Sequence, residues 1–245
     1  MSQAPQSGTA SLAGAVIWPM VAAKARDRAN AGAPVLTAYD QGARTELSAL
    51  TLANAVAKAA NALVDEADIE PGDLVAVDLP WHWQRCVWLL ACWSAGATVH
   101  LGRTDGRVRL QLVDPSVDGP LGGAASTWAV SLHPLGMPAA DLPAGVEDAV
   151  LLARGGADDF LAPTQVGPAL LGMGQRQAVD TVRGAIVERH TARRLLIPGE
   201  PGDRQFASLV LAIGPLLPGV SLVISSSLSV AECAQLAGQE SATPW

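Results

Sequence analysis

Lysine is scarce in this sequence, and so are aromatic residues, cysteine and long apolar runs. Lys24 and Lys58 are the two lysines among sixteen basic residues, and the formal net charge is −7. An acidic chain lacks the basic face that nucleic-acid binding needs for phosphate contacts, and no polybasic segment indicates a membrane surface. No uninterrupted apolar run reaches the roughly 18 residues of a membrane-spanning helix. We therefore expect neither a nucleic-acid partner nor a membrane partner.

The sparse cysteines bear on the cellular compartment. Cys86, Cys92 and Cys233 have no metal-ligand spacing, and this pattern is typical of buried free thiols in a reducing compartment. The N-terminal segment has a short apolar run without a basic region before it, so it makes a poor signal peptide. These features predict a cytoplasmic protein.

Metal-binding motifs are also missing. The four histidines, His82, His100, His133 and His190, are scattered, and no H-x-x-H or H-E-x-x-H spacing occurs. No G-x-S-x-G element is present either, so a hydrolase of that type has no support. The sequence predicts no metal and no cofactor.

The apolar content of 49% predicts a folded globule, and its pattern alternates between strands and helices. We expect an α/β fold made of two doubly wound units with mostly parallel sheets. The predicted divisions are an N-terminal arm with a short helix (1–33), a first α/β unit (34–135), a loop-rich connection (136–163) and a second α/β unit (164–245).

Local signals place individual elements. Ser48 is expected to cap a helix, and Pro71, Gly72 and Asp73 are expected to form a structural turn after it. Gly72 should adopt a positive φ, and Asp73 should bond amides of the turn. The segment 83–97 is apolar around most of its circumference, which predicts a buried helix. Ser229 and Glu232 have capping-box spacing at the start of a last helix.

The stretch "PWHWQ" carries the first candidate site. Trp81, His82 and Trp83 follow a predicted buried strand, where the loop beyond the carboxyl end of a parallel strand faces the ligand crevice. One interpretation is an aromatic wall with one titratable group, suited to an aromatic or acyl ligand. The other is that the tryptophans cover the core while His82 starts a helix.

The stretch "IPGEPGDR" carries the second candidate site. It follows a predicted strand and opens a helix, as phosphate-binding loops do, so Gly199, Gly202 and Arg204 are weak candidates for phosphate contacts. Glu200 and Asp203 put negative charge where the phosphate would lie, which favours a plain turn. The serine-rich segment 225–229 lacks glycine and lysine and is better interpreted as a strand end that leads into a helix cap.

A family resemblance follows from an ensemble of residues. The elements are Ala60, Asn61 and Leu63 in a helix, the turn at 71–73, Pro80 after a strand, and Ala91, Gly96 and Ala97 in the next helix and turn. This pattern over about 34–101 resembles the N-terminal segment of the adenylate-forming superfamily, the acyl-CoA and aryl-CoA synthetases and their relatives. A weaker match covers 193–224, and the whole resembles a group of short actinobacterial-type relatives.

Motifs that the family uses for catalysis are absent. The Ser/Thr/Gly-rich loop ending P-K-G, the aromatic-x-T-E and the R-T-G-D elements do not occur, and neither Lys24 nor Lys58 fits a lysine role of the family. Adenylyl transfer depends on the electrostatic stabilisation that these groups supply. The resemblance therefore implies a catalytically incompetent acyl-CoA synthetase-like protein that acts as a binding or interaction module, with an unknown small-molecule ligand.

Two alternatives stay open beside that hypothesis. The chain could be a divergent AMP-forming acid–CoA ligase with a phosphate-binding surface at "GEPGDR", or a small-molecule binder that uses the crevice near Trp81–Trp83. We also expect a homodimer, because the longer enzymes continue past the point where this sequence stops and bury surface that this chain would expose.

Overall fold

The computed structural model describes residues 12–27, 31–40, 42–189, 193–226 and 228–245. The helices in these ranges are α1 (Ile17–Arg26), α2 (Ala49–Asp65), α3 (Trp83–Ser94), α4 (Ala149–Arg154), α5 (Gln175–Arg189), α6 (Arg204–Ile213) and α7 (Val230–Gln239). The strands are β1 (Ala13–Gly14), β2 (Pro34–Asp40), β3 (Ala43–Ser48), β4 (Leu74–Asp78), β5 (Thr98–Leu101), β6 (Val108–Val113), β7 (Ala124–Ala129), β8 (Glu147–Asp148), β9 (Gln165–Val166), β10 (Arg194–Pro198), β11 (Ser221–Ser225) and β12 (Thr243–Pro244).

Sheet one is fully parallel and has the strand order β5-β4-β6-β7-β8. In its centre Val75 lies opposite Val99 on one side and Leu110 on the other. Strand β4 reads as a short apolar run because both of its faces are covered, as in other parallel sheets. The α/β fold with mostly parallel sheets is therefore confirmed.

Sheet two has the order β12-β10-β11-β2-β3, and all its strands run parallel except β3. Strand β2 pairs with β11, with Leu36 opposite Leu222. We had expected β2 to open the first unit, together with β4 and β5, and that assignment was wrong. The hairpin of β2 and β3 belongs to the sheet of the C-terminal strands, since an apolar strand pattern indicates burial but not the partner strand.

Helix α3 forms the middle of the core, and all twelve of its residues are buried. It packs against α2 on one side and against α6 on the other, and it also contacts α1. Trp93 donates its indole N–H to the carbonyl of Ala169 at 2.7 Å, so this large side chain is buried without an unpaired donor. The thiols of Cys86 and Cys92 are buried in the same helix, and burial raises the pKa of each.

The predicted capping and turn residues are confirmed. Ser48 Oγ accepts a hydrogen bond from the N–H of Thr51 at the start of α2. Gly72 has φ of +94°, and Asp73 Oδ2 accepts from the N–H of Glu70 at 2.9 Å. This turn joins α2 to β4 and so fixes where the central strand begins.

Glu240, the residue just after α7, bonds the C-terminal helix to sheet two through its carboxylate. Its oxygens accept from Arg44 at 2.8 Å and also from Arg194 and from the hydroxyl of Tyr39 at 2.5 Å. Hydrogen bonding from Arg44 lowers the pKa of Glu240 to about 2, against the opposing effect of burial, and Tyr39 and Arg194 add to the lowering. We name these four residues the Glu240 cluster.

Among the described residues, no helix is both long enough and apolar enough to cross a membrane.

Candidate functional site

The carboxyl ends of the two sheets meet at a crevice. Asp78 ends β4 of sheet one, and Arg204 begins α6, which follows β10 of sheet two. A terminal nitrogen of Arg204 lies 3.0 Å from Asp78 Oδ1 and donates to the carbonyl of Leu79 at 3.3 Å. Crevices of this kind are where open α/β sheets bind ligands.

The loop with Trp81, His82 and Trp83 leaves β4 at this crevice and starts α3. All three side chains are buried, and His82 is 3% exposed. His82 is the N-cap of α3, and its Nδ1 accepts from the N–H of Gln84 at 3.3 Å. The interpretation of His82 as a helix-start residue is therefore confirmed, whereas the role of this loop as a ligand wall stays a prediction.

Three buried side-chain nitrogens of this loop lack hydrogen-bond partners among the described residues. The Nε2 atom of His82 and the indole Nε1 atoms of Trp81 and Trp83 have no hydrogen-bond partner in the described part of the chain. Burial lowers the pKa of His82 to about 4, with the carboxylate of Asp40 opposing that change. The imidazole is therefore neutral near pH 7.

Arg85 is a buried cation at this site that sequence reasoning missed. Its side chain is fully buried, and its terminal nitrogens bond Glu200 Oε1 at 2.7 Å and the hydroxyl of Ser208. Burial lowers the pKa of Arg85, and Glu200 opposes this, but an arginine stays charged in proteins. A lone arginine inside an otherwise apolar helix was the available signal, since such a charge needs a partner.

A second ion-pair group lies beside the first. Asp78 Oδ2 accepts from Nε of Arg103 at 2.9 Å, so this carboxylate is shared between Arg103 and Arg204. Glu200 lies 3.9 Å from Nε of Arg204 and connects the two groups. The guanidiniums of Arg85, Arg103 and Arg204 thus each face a carboxylate.

The turn at 198–203 is held by a bond to β11 and by its own helix cap. The N–H of Gly199, at φ of +98°, donates to the carbonyl of Ser225 at 2.9 Å. Asp203 caps α6 by accepting from the N–H of Phe206 at 3.0 Å. A carboxylate therefore already lies at the helix N-terminus that a phosphate would need. The assignment of Gly199, Gly202 and Arg204 to phosphate contacts stays a prediction without support from this geometry.

The other singled-out segments have local roles. Ser225 ends β11, and Ser229 forms a capping box with Glu232 at the start of α7, so the prediction of a strand end leading into a helix cap is confirmed. His133 Nδ1 accepts from the N–H of Leu135, and His100 lies in β5. His190 lies outside the described residues. Among the described side chains, no three His, Cys, Asp or Glu residues are grouped as a metal site would require.

A groove of about 260 Å³ lies next to the aromatic loop, between α2, α3 and α4. Trp83, Val87 and Trp88 of α3 contribute apolar wall, and Arg154 of α4 supplies a cation. Leu135, which is 81% exposed, lies at its edge.

Comparison with known proteins gives one family-model match and one sequence relative. The model of the AMP-binding enzyme family matches residues 24–105. A TIGR03089 family protein of Mycobacterium tuberculosis (strain ATCC 25618 / H37Rv) is 36% identical over 222 residues, which cover 86% of this chain and 88% of that protein.

Solved structures share the fold at lower identity. Acetoacetyl-CoA synthetase from Streptomyces lividans superposes with a TM-score of 0.69 at 17% identity, over 95% of this chain and 42% of that one. The Brucella canis acyl-CoA synthetase superposes with a TM-score of 0.69 at 16% identity, over 97% of this chain and 48% of that one. A long-chain-fatty-acid-CoA ligase from Archaeoglobus fulgidus superposes with a TM-score of 0.70 at 12% identity, over 95% of this chain and 51% of that one. The chain thus spans about half the length of these enzymes or less.

Proposed function

Because this chain belongs to the TIGR03089 family and is a relative of the adenylate-forming acyl-CoA synthetases, we propose that it is a synthetase-like binding or interaction module that forms no acyl adenylate. The observation that carries the proposal is the turn at 198–203. There the carboxylate of Asp203 occupies the N-terminus of α6, and the carboxylate of Glu200 is bonded to Arg85.

The electrostatic balance at this turn opposes a polyphosphate. A helix N-terminus attracts an anion by up to about 2 kcal/mol. One carboxylate about 4 Å from a phosphate charge repels it by about 4 kcal/mol at the effective dielectric of a protein surface. Asp203 lies at the N-terminus of α6 itself, and Glu200 lies one turn before it. At that separation, repulsion by Asp203 would outweigh the attraction of the helix N-terminus.

The cations of the crevice do not change this balance. Arg85 is held by Glu200, and Asp78 is shared by Arg103 and Arg204. A phosphate would have to displace one of these carboxylates before it could use a guanidinium. The preorganised charge that adenylyl transfer depends on is thus directed at protein groups.

The test is carboxylate-dependent exchange of pyrophosphate into ATP. The purified protein with magnesium and ATP should give no exchange above the enzyme-free blank for short, long-chain and aromatic acids, while an active synthetase run in parallel gives a strong signal. Robust exchange that disappears in Arg204→Met would overturn the proposal and favour a divergent AMP-forming ligase.

A charge-removing variant tests the stated reason. Asp203→Asn keeps an efficient helix cap and removes the negative charge. If repulsion is what excludes phosphate, this variant should bind pyrophosphate more tightly than the wild type in calorimetry. Equal and undetectable binding in both proteins would show that the carboxylate is not the determining group.

The groove beside Trp83 favours a second candidate function, a small-molecule binder. Its volume of about 260 Å³ is just below the lower end of ligand pockets. Trp83 and Trp88 line it together with two cations, Arg154 and Lys58, and Lys58 pairs with Asp158 at 3.2 Å. A thermal-shift panel of ATP, AMP, CoA and an acyl-CoA tests it. A ligand at one hundred times its dissociation constant stabilises the fold by about 2.7 kcal/mol, and this gain should shrink in Arg154→Met.

A further inference from the structure

A second and larger cavity lies at the opposite end of sheet two, where strands β2 and β11 begin. It has a volume of about 730 Å³, which is well within the range of small-molecule sites. Helices α1 and α5 and the turn at 216–220 enclose it together with the two strand starts. The crevice described above lies at the carboxyl ends of the same strands, so the two sites do not overlap.

The walls of this cavity are largely apolar. Val35, Leu216 and Val220 are buried residues that form its floor, and Met20 of α1 is half-buried beside them. A ligand that fills this space would bury apolar surface at about 25 cal/mol per Å². The cavity therefore favours a ligand with an apolar body.

Lys24 introduces a cation into this apolar wall. Its Nζ donates to the carbonyl of Leu217 at 2.6 Å. Burial lowers the pKa of Lys24, and the nearby carboxylate of Asp27 opposes this only in part. A neutral carbonyl compensates a desolvated ammonium poorly, and an anion compensates it better.

Cations exceed carboxylates by one among the described residues around the cavity. Lys24, Arg183 and Asp27 line it, and Arg183 of α5 pairs with Asp180 at 3.0 Å. Arg193 lies beside Gly219, where its terminal nitrogen donates to the carbonyl of Pro218 at 3.2 Å. An excess of one cation in an apolar cleft is complementary to a single anionic head group.

We propose that this cavity binds a small amphipathic anion, whose head group pairs with Lys24 and whose apolar body lies on Val35, Leu216 and Val220. An ammonium acts as a point charge and does not demand the planar geometry of a guanidinium, so carboxylate and phosphate heads both fit this chemistry. The site also explains why one of the two lysines in an arginine-rich chain lies here. It does not depend on the function proposed above for the crevice.

The experiment titrates the intact protein with octanoate, octyl phosphate and neutral octanol, and follows methionine methyl groups by NMR. Met20 lines the cavity, while Met137 and Met173 lie elsewhere in the described chain and act as internal references. We expect either anion to shift the Met20 methyl signal saturably while Met137 and Met173 stay in place. We expect octanol to bind at least tenfold more weakly.

Variants connect the binding to the ammonium. Lys24→Met should weaken the preferred anion at least tenfold, while Arg26→Met, which removes the same charge from the exposed side of the same helix, should leave the affinity unchanged. If Lys24→Met lowers the yield of folded protein, Ala23→Trp is the second variant. Ala23 is an exposed residue of the cavity wall, so its replacement fills the space without breaking a contact.

Three outcomes would overturn the proposal. They are no saturable Met20 shift with either anion at millimolar concentration, equal affinity for octanol, or full binding in both Lys24→Met and Ala23→Trp. The tighter of the two anions would identify the head group.

Discussion

The Glu240 cluster is predicted to hold the C-terminal helix by a carboxylate charge whose stabilising effect is lost between pH 4.5 and about 2. Its carboxylate side chain is 8% exposed and is bonded by Arg44, Arg194 and Tyr39. Lowering the pKa of this carboxyl from 4.5 to about 2 corresponds to about 3.4 kcal/mol at 1.36 kcal/mol per pKa unit. Arg44 is 41% exposed, so solvent screening reduces the expected contribution to about 2 kcal/mol.

The sign of the pH dependence follows from the direction of the pKa change. A carboxyl whose pKa is lower in the folded state stabilises the protein fully above its unfolded pKa of about 4.5, and this stabilisation is lost as the pH falls towards 2. Glu240→Gln should therefore reduce the free energy of unfolding by about 2 kcal/mol at pH 7. The difference between variant and wild type should shrink steadily between pH 4.5 and 2.5.

Urea unfolding followed by circular dichroism at several pH values measures both quantities. Glu46→Gln is the matched control, because Glu46 pairs with the same Arg44 but its side chain is 35% exposed and it makes no contact with Arg194. The control should change stability by less than about 0.5 kcal/mol. A Glu240→Gln effect that is as small as the control, or that is the same at pH 7 and pH 2.5, would refute the reasoning.

Three other predictions follow from the structure. Gly72→Val should lower the melting temperature, because φ at this position is +94° and such a φ costs a branched residue about 1 kcal/mol or more. The control Gly202→Ala has open space at its Cβ and should leave the melting temperature unchanged. Equal melting curves for the two variants would contradict the turn geometry. Glu200→Gln should lower the free energy of unfolding by about 3 kcal/mol, because it leaves buried Arg85 without its carboxylate. In chemical unfolding, adding Arg85→Met should restore most of that loss. A double variant as unstable as the single one would exclude this explanation. We also propose a homodimer that covers exposed leucines. Light scattering at micromolar concentration should then give twice the mass of one chain. A mass of 25.1 kDa that persists when the protein is concentrated would rule out the dimer.

Elements defined by local chemistry were predictable from the sequence. The capping box of Ser229 and Glu232, the cap at Ser48 and the turn at Gly72 each depend on side chains within a few residues of each other. Helix α3 was predictable as buried because nearly every position is apolar. Such signals need no knowledge of the rest of the fold.

What the sequence did not predict depends on long-range partners. The pairing of β2 with β11 could not be inferred, because several apolar runs in the chain are equivalent as partners. Arg85 was missed since its carboxylate, Glu200, comes from the other sheet. The cavity at Lys24 is assembled from helices and strand starts that are far apart in sequence, so no local motif indicates it.

The strand order of sheet two also fixes a sequence of events during synthesis. Strand β2 is made long before its parallel neighbour β11, because β4 to β10 and helices α2 to α6 lie between them in the chain. At a translation rate of about 5–20 residues per second, β2 waits roughly 10–40 s for that neighbour. Its buried residues Val35, Leu36 and Ala38 have no β11 to pair with during that interval, whereas every strand of sheet one has already been made. The nascent chain therefore carries a hairpin with an uncovered apolar strand, which is a binding target for chaperones until β11 has been made.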